Sequence, residues 1–390
     1  MLRIGPEPLS FAWSNPSRGL HLTAIGAVGE GGGDVAWLGT APASTPPGPW
    51  LGGWAFDASR PWTGFPAERW VLPEVLAWWD GKEAWLAAFG RGGEVTEQAL
   101  LARLDRVGEL EPKTEPIPAA RVDAPKARGE WTALVNGALG AIERGELRKV
   151  VCARTIEVLA QSPFVERAVL KALEARHPQC WSFLVRGDDG SAFVGASPET
   201  LCEIRGSAVR IDSLAGTAPK GEGARLLDDD KERREHDEVI RGIRECLSAH
   251  VSSLSVAAGP SIKSLANVDH LFTPIEATLA PGTRPLDVAR ELHPTPAVGG
   301  APRATAVQWL ASHEGFARGW YAGAVGTLGP GGLTLAVALR SALVRGDRAT
   351  LFSGAGVVAG SDHEREWLET ERKATAMLGA LGVEGGAHGR

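Results

Sequence analysis

The stretch DDDKERREHDEVIRGIRECLSAHV (228–251) places acids where a helix keeps its apolar residues. Read as a helix over 229–253, it repeats Glu235, Val239, Ile243 and Cys246 at steps of four, four and three, and Glu232 stands seven before Val239. Side chains at those spacings share one face. Both carboxylates therefore continue the apolar stripe, whereas a solvated acidic helix would carry them on the opposite side. A carboxylate turned toward a core must be protonated or meet a cation, because an uncompensated buried charge costs many kcal/mol. A chain with this helix can fold only if another element delivers that partner.

A second pair lies in FSGAGVVAGSDHEREWLETERK (352–373). Ser361 with Glu364 fits a capping box, which predicts a helix over 361–381. Glu366 and Glu369 share one face of it, and Lys373 follows four residues after Glu369. Four carboxylates from two helices are the hard oxygen donors that hold Mg²⁺ beside an anion. Acids near helix N-termini also suit an exposed surface, where the dipole favours them. The residues alone leave both open. A di-iron bundle would need Glu-x-x-His, but Glu235 is followed directly by His236 and His363 has no glutamate three before it.

With 390 residues the chain can bury a sizeable core as one large domain or two ordinary ones. A net charge of −6 without a basic block argues against a nucleic-acid partner, while a locally positive pocket could still take a small anion. Cys152, Cys180, Cys202 and Cys246 form no C-x-x-C pair and read as reduced, mostly buried thiols, so zinc is not expected. The N-terminal stretch has no secretory h-region and no run reaches the length of a membrane span, which predicts a cytoplasmic protein without membrane contact.

Residues 1–110 hold nine of the fourteen tryptophans, and short apolar runs such as DVAWLG and EAWLAAFG bounded by turn residues predict antiparallel strands. Residues 111–130 are proline-rich and charged, as in a linker. From 131 onward a helix (131–146) leads into alternating strands and helices, which predicts a large α/β or α+β domain. The strand candidates include LRKVVCARTIEV, CWSFLVRG, SAFVGAS, AVRIDSLAGT, LTLAVALRSALV and TLFSGAGVV, and the tail VEGGAHGR reads as frayed.

Lys149 opens the KVVCART strand, either as a desolvated general base or as an ordinary strand-end lysine reaching water. Arg340 reads as the interior of LAVALRSALV, where an arginine meets an anion or a carboxylate. LAGTAPKG and SGAGVV read as glycine turns able to offer N–H groups to an anion. Neither fits a dinucleotide fingerprint or a phosphate loop. The residues unaided predict an enzyme with a magnesium site that binds a small polyanion.

From Glu130 to Leu381 the segments KVVCART, FVGASPETL, IDSLAGTAPKG, KERREHDEVI, DHLFTPIEA, LHPTPAVGGAPR, GWYAGAVG, AVALRSA and FSGAGVVAGSDHEREWLETERK occur in an order that resembles the chorismate-utilising enzymes. The resemblance implies an anthranilate/aminodeoxychorismate synthase-like fold, a large β-sandwich core flanked by helices. Residues 1–110 would pack on the same sandwich, and 131–385 would form the chorismate-binding region. It implies that Glu235 and Glu369 bind Mg²⁺, with Glu232 and Glu366 beside them through water. Arg340 and Tyr321, the one tyrosine, would meet the pyruvyl carboxylate of chorismate. Gly354, Gly216, Thr217 and Lys373 would complete the anion site, and His270 would line the ring.

Within the superfamily the residues look most like isochorismate synthases. There a lysine at the place of Lys149 activates water for attack at C2, and a glutamate at the place of Glu199 protonates the departing C4 hydroxyl. Ala215 stands where aminodeoxychorismate synthases carry a lysine nucleophile, and no glutaminase subunit is expected. PTPAVGG also favours release of isochorismate, for menaquinone or siderophore synthesis. Salicylate synthase, which goes on to eliminate pyruvate, is the alternative, and Val298, Gly299, Gly300 and Glu371 are the departures that bear on it. A monomer is expected.

Overall fold

The computed structural model of the chain describes residues 9–31, 50–89, 98, 117–122, 124–266, 268–329 and 332–383. The DVAWLG strand and the tail beyond Val383 lie outside them. Two large sheets dominate. The eleven-stranded sheet runs in the order Gly300–Ala301, Lys149–Ala160, Arg348–Val358, Ser341–Arg345, Ala192–Ser197, Trp181–Arg186, Leu9–Asn15, Leu20–Ile25, Val75–Trp79 and Ala84–Ala88, with Ala119–Val122 also paired to Lys149–Ala160. The ten-stranded sheet runs Val251–Val256, Val268–Leu279, Ala208–Pro219, Thr200–Arg205, Gly332–Val337, Ala324–Gly329, Trp50–Trp54, Glu68–Leu72 and Gly29–Gly31, with Ser261–Ser264 on Val268–Leu279. Every pairing between these strands is antiparallel. The fold is thus α+β, since βαβ crossovers would have made parallel neighbours.

One apolar core joins the sheets, drawing Trp13, Phe183, Phe193 and Val150 from the first and Leu51, Leu201, Leu335 and Ile275 from the second. A second core lies where helices Glu166–Arg176 and His363–Ala380 cover the first sheet, through Leu173, Met377, Ile156 and Val194. Burial on two faces explains why strands such as Ala192–Ser197 are buried throughout. The tryptophan-rich N-terminal strands pair within both sheets, as Phe11 opposite Val185 and Gly53 opposite Val325 illustrate.

Helix Asp230–Leu247 packs on strand Ala208–Pro219, and both it and helix His363–Ala380 reach strand Arg348–Val358. That strand, between the two acidic helices, is what brings their carboxylates into one place.

The structure corrects several expectations. The long helix ends at Leu247, and Val251 already starts a strand, because the apolar stripe that buries Val239, Ile243 and Leu247 stops there. The first helix of the C-terminal part begins at Ala127, and Ala119–Val122 within 111–130 forms a strand. The last helix is capped by Asp362, whose carboxylate accepts from the N–H groups of Glu364 (3.2 Å) and Arg365 (3.0 Å). Ser361 instead turns its hydroxyl to the Val358 N–H. LAGT and SGAGVV are interior strand segments rather than turns. Arg340 is not inside a strand. Gly332–Val337 belongs to one sheet and Ser341–Arg345 to the other, and Arg340 stands in the crossing with φ +48°.

Candidate active site

A cleft of about 760 Å³, counted to its open mouth, lies where strands Ala208–Pro219 and Arg348–Val358 meet the two acidic helices. It is lined by Glu199, Gly216, Thr217, Glu235, His270, Tyr321, Arg340, Gly354, Glu369 and Lys373. Lys149, Glu232 and Glu366 stand just behind this lining. So the structure brings together all thirteen side chains and glycines singled out in the sequence: ten on the wall, Lys149 and Glu232 in contact with it, and Glu366 joined to Glu232 through Lys231.

The four glutamates are buried, Glu366 at 1% exposure and the others at 6–8%. Asp229 starts the first helix by accepting from the N–H groups of Lys231 and Glu232, which sets the register that turns Glu232 and Glu235 inward. Each acid meets a lysine. Lys149 Nζ is 3.1 Å from Glu235, Lys373 Nζ 2.6 Å from Glu369, and Lys231 Nζ bridges Glu232 (3.0 Å) and Glu366 (2.9 Å). Glu232 also accepts from the Thr217 N–H at 3.2 Å. Burial pushes the Glu366 carboxyl up to about 7, with Glu369 adding to the rise, and burial with Glu235 nearby raises Glu232. Burial also works against ionised Glu235, but Lys149 and Lys231 outweigh it and hold that carboxyl below the usual range.

Among the described residues no three His, Cys, Asp or Glu groups stand close enough to form a ready metal cage. The donor set nevertheless fits Mg²⁺. It is all carboxylate oxygen, from four buried glutamates carried by two helices.

Backbone geometry makes room for these acids. At Gly216 the pairing to Val268–Leu279 slips by one residue, a bulge with φ +76°, and a Cβ there would stand 3.0 Å from Glu232 Oε2. At Gly356 a Cβ would stand 2.1 Å from Glu235 Oε1. Only glycine lets the strand pass so close to that carboxylate.

The opposite wall is built for an anion. His270 Nδ1 faces the Gly216 carbonyl at 3.0 Å and the Thr217 hydroxyl at 3.2 Å, while Nε2 lies 3.3 Å from Arg340 Nη2. A proton on Nδ1 donated to the carbonyl leaves Nε2 free to accept from the guanidinium, so the ring is neutral. Burial, with Arg340 and Lys373 nearby, lowers its pKa to about 3. Arg340 is 7% exposed and its Nη1 has no hydrogen-bond partner. A buried guanidinium with a spare donor, held on strained backbone, is prepared for a carboxylate. Tyr321 stacks on Phe352 (5.1 Å), which stacks on Trp62 (5.1 Å), so an N-terminal tryptophan backs this wall.

Glu199 shares a property with Arg340. It sits where the chain passes from Ala192–Ser197 in one sheet to Thr200–Arg205 in the other. Burial pushes its carboxyl up to about 8. Lys149 is the strongest charge acting on it and opposes that rise. A proton-bearing carboxyl and a fully buried lysine thus flank one cleft.

The sequence reading missed Lys231, Gly356 and the apolar lining Val151, Leu214, Leu339 and Phe352. Lys231 was legible as the residue before Glu232, but its partner Glu366 lies on the other helix. Glu371 is not in the cleft; it clasps Arg121 (2.6 and 2.8 Å) and Arg154.

The sequence profile of a family described as chorismate binding enzyme matches residues 41–382. The chain belongs to the chorismate binding enzymes. Among relatives of this chorismate binding enzyme, the salicylate biosynthesis isochorismate synthase of Pseudomonas aeruginosa is 40% identical over 281 residues, covering 70% of the chain and 59% of the relative. The isochorismate synthase MenF of Escherichia coli is 37% identical over 262 residues, covering 65% and 60%. The chain thus spans less than two thirds of the length of these two relatives. The solved structure of E. coli MenF, titled the menaquinone-specific isochorismate synthase, superposes with a TM-score of 0.81 at 27% identity, covering 97% of the chain and 89% of that structure.

Proposed function

We propose that this chorismate binding enzyme is an isochorismate synthase, an isomerase that moves a hydroxyl from C4 to C2 of chorismate. The observation that carries it is the pairing of fully buried Lys149 with Glu199, whose carboxyl holds its proton up to a pH of about 8. Lys149 in its neutral form takes a proton from the attacking water, and Glu199 gives one to the C4 hydroxyl as it leaves. Water in and water out balance, so the product is an isomer. Arg340 Nη1 and Tyr321 receive the pyruvyl carboxylate, with the Gly354 and Gly216–Thr217 backbone and Lys373 completing the anion site. His270, neutral and fixed by two neighbours, bounds the ring. Glu235 and Glu369, with Glu232 and Glu366, would hold Mg²⁺, which when bound neutralises the ring carboxylate of the substrate.

Ala215 lines the cleft without a nucleophile. Water is the incoming group, so the proposal includes no glutaminase subunit. A cytoplasmic monomer suffices, and no helix among the described residues is long and apolar enough to cross a membrane. Both relatives bear isochorismate synthase names, which supports the assignment; the menaquinone or siderophore fate of the product lies downstream of this site.

Purified protein with chorismate and Mg²⁺ should yield isochorismate, without pyruvate or fluorescent salicylate. Turnover should stop with EDTA and fall by roughly 10²–10⁴ in Lys149→Ala. Salicylate and pyruvate as the products would replace the assignment by salicylate synthase. Full activity in Lys149→Ala would end it.

A further inference from the structure

Outside the residues assigned so far, one half-buried ion pair touches the segment that carries the acid. Lys263, on strand Ser261–Ser264, donates through Nζ to the Pro198 carbonyl at 3.0 Å and to Asp212 Oδ2 at 3.2 Å. Its ammonium also stands 5.1 Å from the centre of the Phe272 ring. Asp212 is 6% exposed and lies on strand Ala208–Pro219, two residues before the cleft-lining Leu214. Its other cationic neighbour is Arg210, at 4.0 Å.

Pro198 and Glu199 lie between two strands of different sheets, where ladder bonds give out. The Glu199 N–H donates to the Ser197 hydroxyl (3.2 Å), the Glu199 carbonyl accepts from Val337 N–H (3.1 Å), and the Pro198 carbonyl accepts from Lys263. Proline has no N–H, so the carbonyl is its one polar handle. Lys263 has hold of it one peptide from the acid.

The charges facing Glu199 are Lys149, Asp212, Lys263 and Lys373. Three are cations that draw a proton off the carboxyl. Asp212 is the anion among these strongest charges, and it helps the carboxyl keep its proton.

We propose that Lys263 and Asp212 are positioning residues for the proton donor: Lys263 fixes the backbone beneath Glu199 through the Pro198 carbonyl, and Asp212 anchors Lys263 while presenting a negative charge to Glu199. This rests on the assignment of Glu199 as the acid. A group that must sit within hydrogen-bond reach of a leaving hydroxyl loses rate steeply when displaced, by about 10²-fold for 1 Å. The pair therefore acts on kcat more than on KM.

The test compares Lys263→Met, Lys263→Arg, Asp212→Asn and Glu199→Gln in the full chain. Lys263→Met should lower kcat for chorismate about 10–100-fold with KM changed less than about 3-fold, and Lys263→Arg should recover most of it. The Glu199 carboxyl is followed by the infrared band that Glu199→Gln removes. Its titration should move to lower pH in Asp212→Asn, which removes an anion, and to higher pH in Lys263→Met, which removes a cation. Opposite shifts cannot arise from general loosening of the fold. An inactive Glu199→Gln alongside unchanged kcat and unchanged titration in the other variants would overturn the proposal and leave the acid assignment standing. A fully active Glu199→Gln would overturn the acid assignment itself, and the positioning role with it.

Discussion

Two buried arginines, Arg340 on the wall of the cleft and Arg318 outside its lining, show opposite uses of charge. Arg318 bonds Glu314 through Nε (2.8 Å) and Nη2 (2.6 Å), the Val298 carbonyl through Nη1 (2.8 Å) and the Val151 carbonyl through Nη2 (2.5 Å). Glu314 also takes the Ala153 N–H at 2.9 Å. Arg340 has His270 at Nη2 and Cys180 nearby, while its Nη1 has no hydrogen-bond partner. Burial lowers both guanidinium pKa values, but Glu314 reverses the effect at Arg318 and no carboxylate does so at Arg340. A charge bonded through all three of its nitrogens ties strand Lys149–Ala160 to the chain around Val298. A charge with a donor to spare costs stability in the free protein and regains it on binding.

The largest expected effect tests that contrast directly. Arg318→Met should destabilise the chain by about 3–5 kcal/mol in urea unfolding, since it strands a buried carboxylate. Arg340→Met should change stability by less than about 1 kcal/mol and lower kcat/KM for chorismate about 10–100-fold, the worth of a charge-assisted bond. Equal destabilisation by the two would break the distinction.

Glu199 sharpens it. Its carboxyl titrates near 8 in the fold against 4.5 when unfolded. Between those values the unfolded chain releases a proton that the folded chain keeps, so wild-type stability falls as pH rises through the window and the loss is complete above it. Glu199→Gln carries no such penalty. It should match the wild type near pH 4.5 and exceed it by about 2–4 kcal/mol at pH 9 in urea unfolding, while losing turnover. An advantage that stays constant with pH would mean Glu199 is not held protonated.

The smallest effect concerns space. Gly356→Ala should cost about 1–3 kcal/mol and weaken Mg²⁺ binding by calorimetry, because the new methyl meets Glu235 Oε1. Gly137→Ala, on an exposed helix face with only Trp309 at 3.6 Å, should stabilise by about 0.5–1 kcal/mol and leave Mg²⁺ binding unchanged. Equal responses would show that Gly356 does not serve the carboxylate.

Much of the site could be read from local spacing. A helix repeats every 3.6 residues, so the inward turn of Glu232 and Glu235 follows from where Val239 and Ile243 lie, and the same repeat puts Glu366 and Glu369 on one face. Lys149 at the head of a β-branched run and the order of motifs pointed to the same cleft. Arg340 was misplaced because LTLAVALRSALV has strand chemistry from end to end. That the run divides between two sheets depends on pairing with Thr200–Arg205 and Ala192–Ser197, more than a hundred residues away in the chain. Asp362 displaced Ser361 as the cap because either side chain can accept an orphan N–H and the packing of Trp367 and Glu366 sets the helix start.

By itself, then, the sequence determined which faces must be buried and which acids would need cations, since those follow from periodicity and from the cost of an isolated charge. Only the tertiary structure decided that Lys149 answers Glu235 and that Lys231 reaches Glu366, where the chain crosses from sheet to sheet, and that Glu199 and Arg340 both ride on such crossings. These depend on contacts between residues far apart along the chain. Backbone freed from the ladder at a crossing can aim a side chain into the space between sheets, and no local pattern encodes where that space will be.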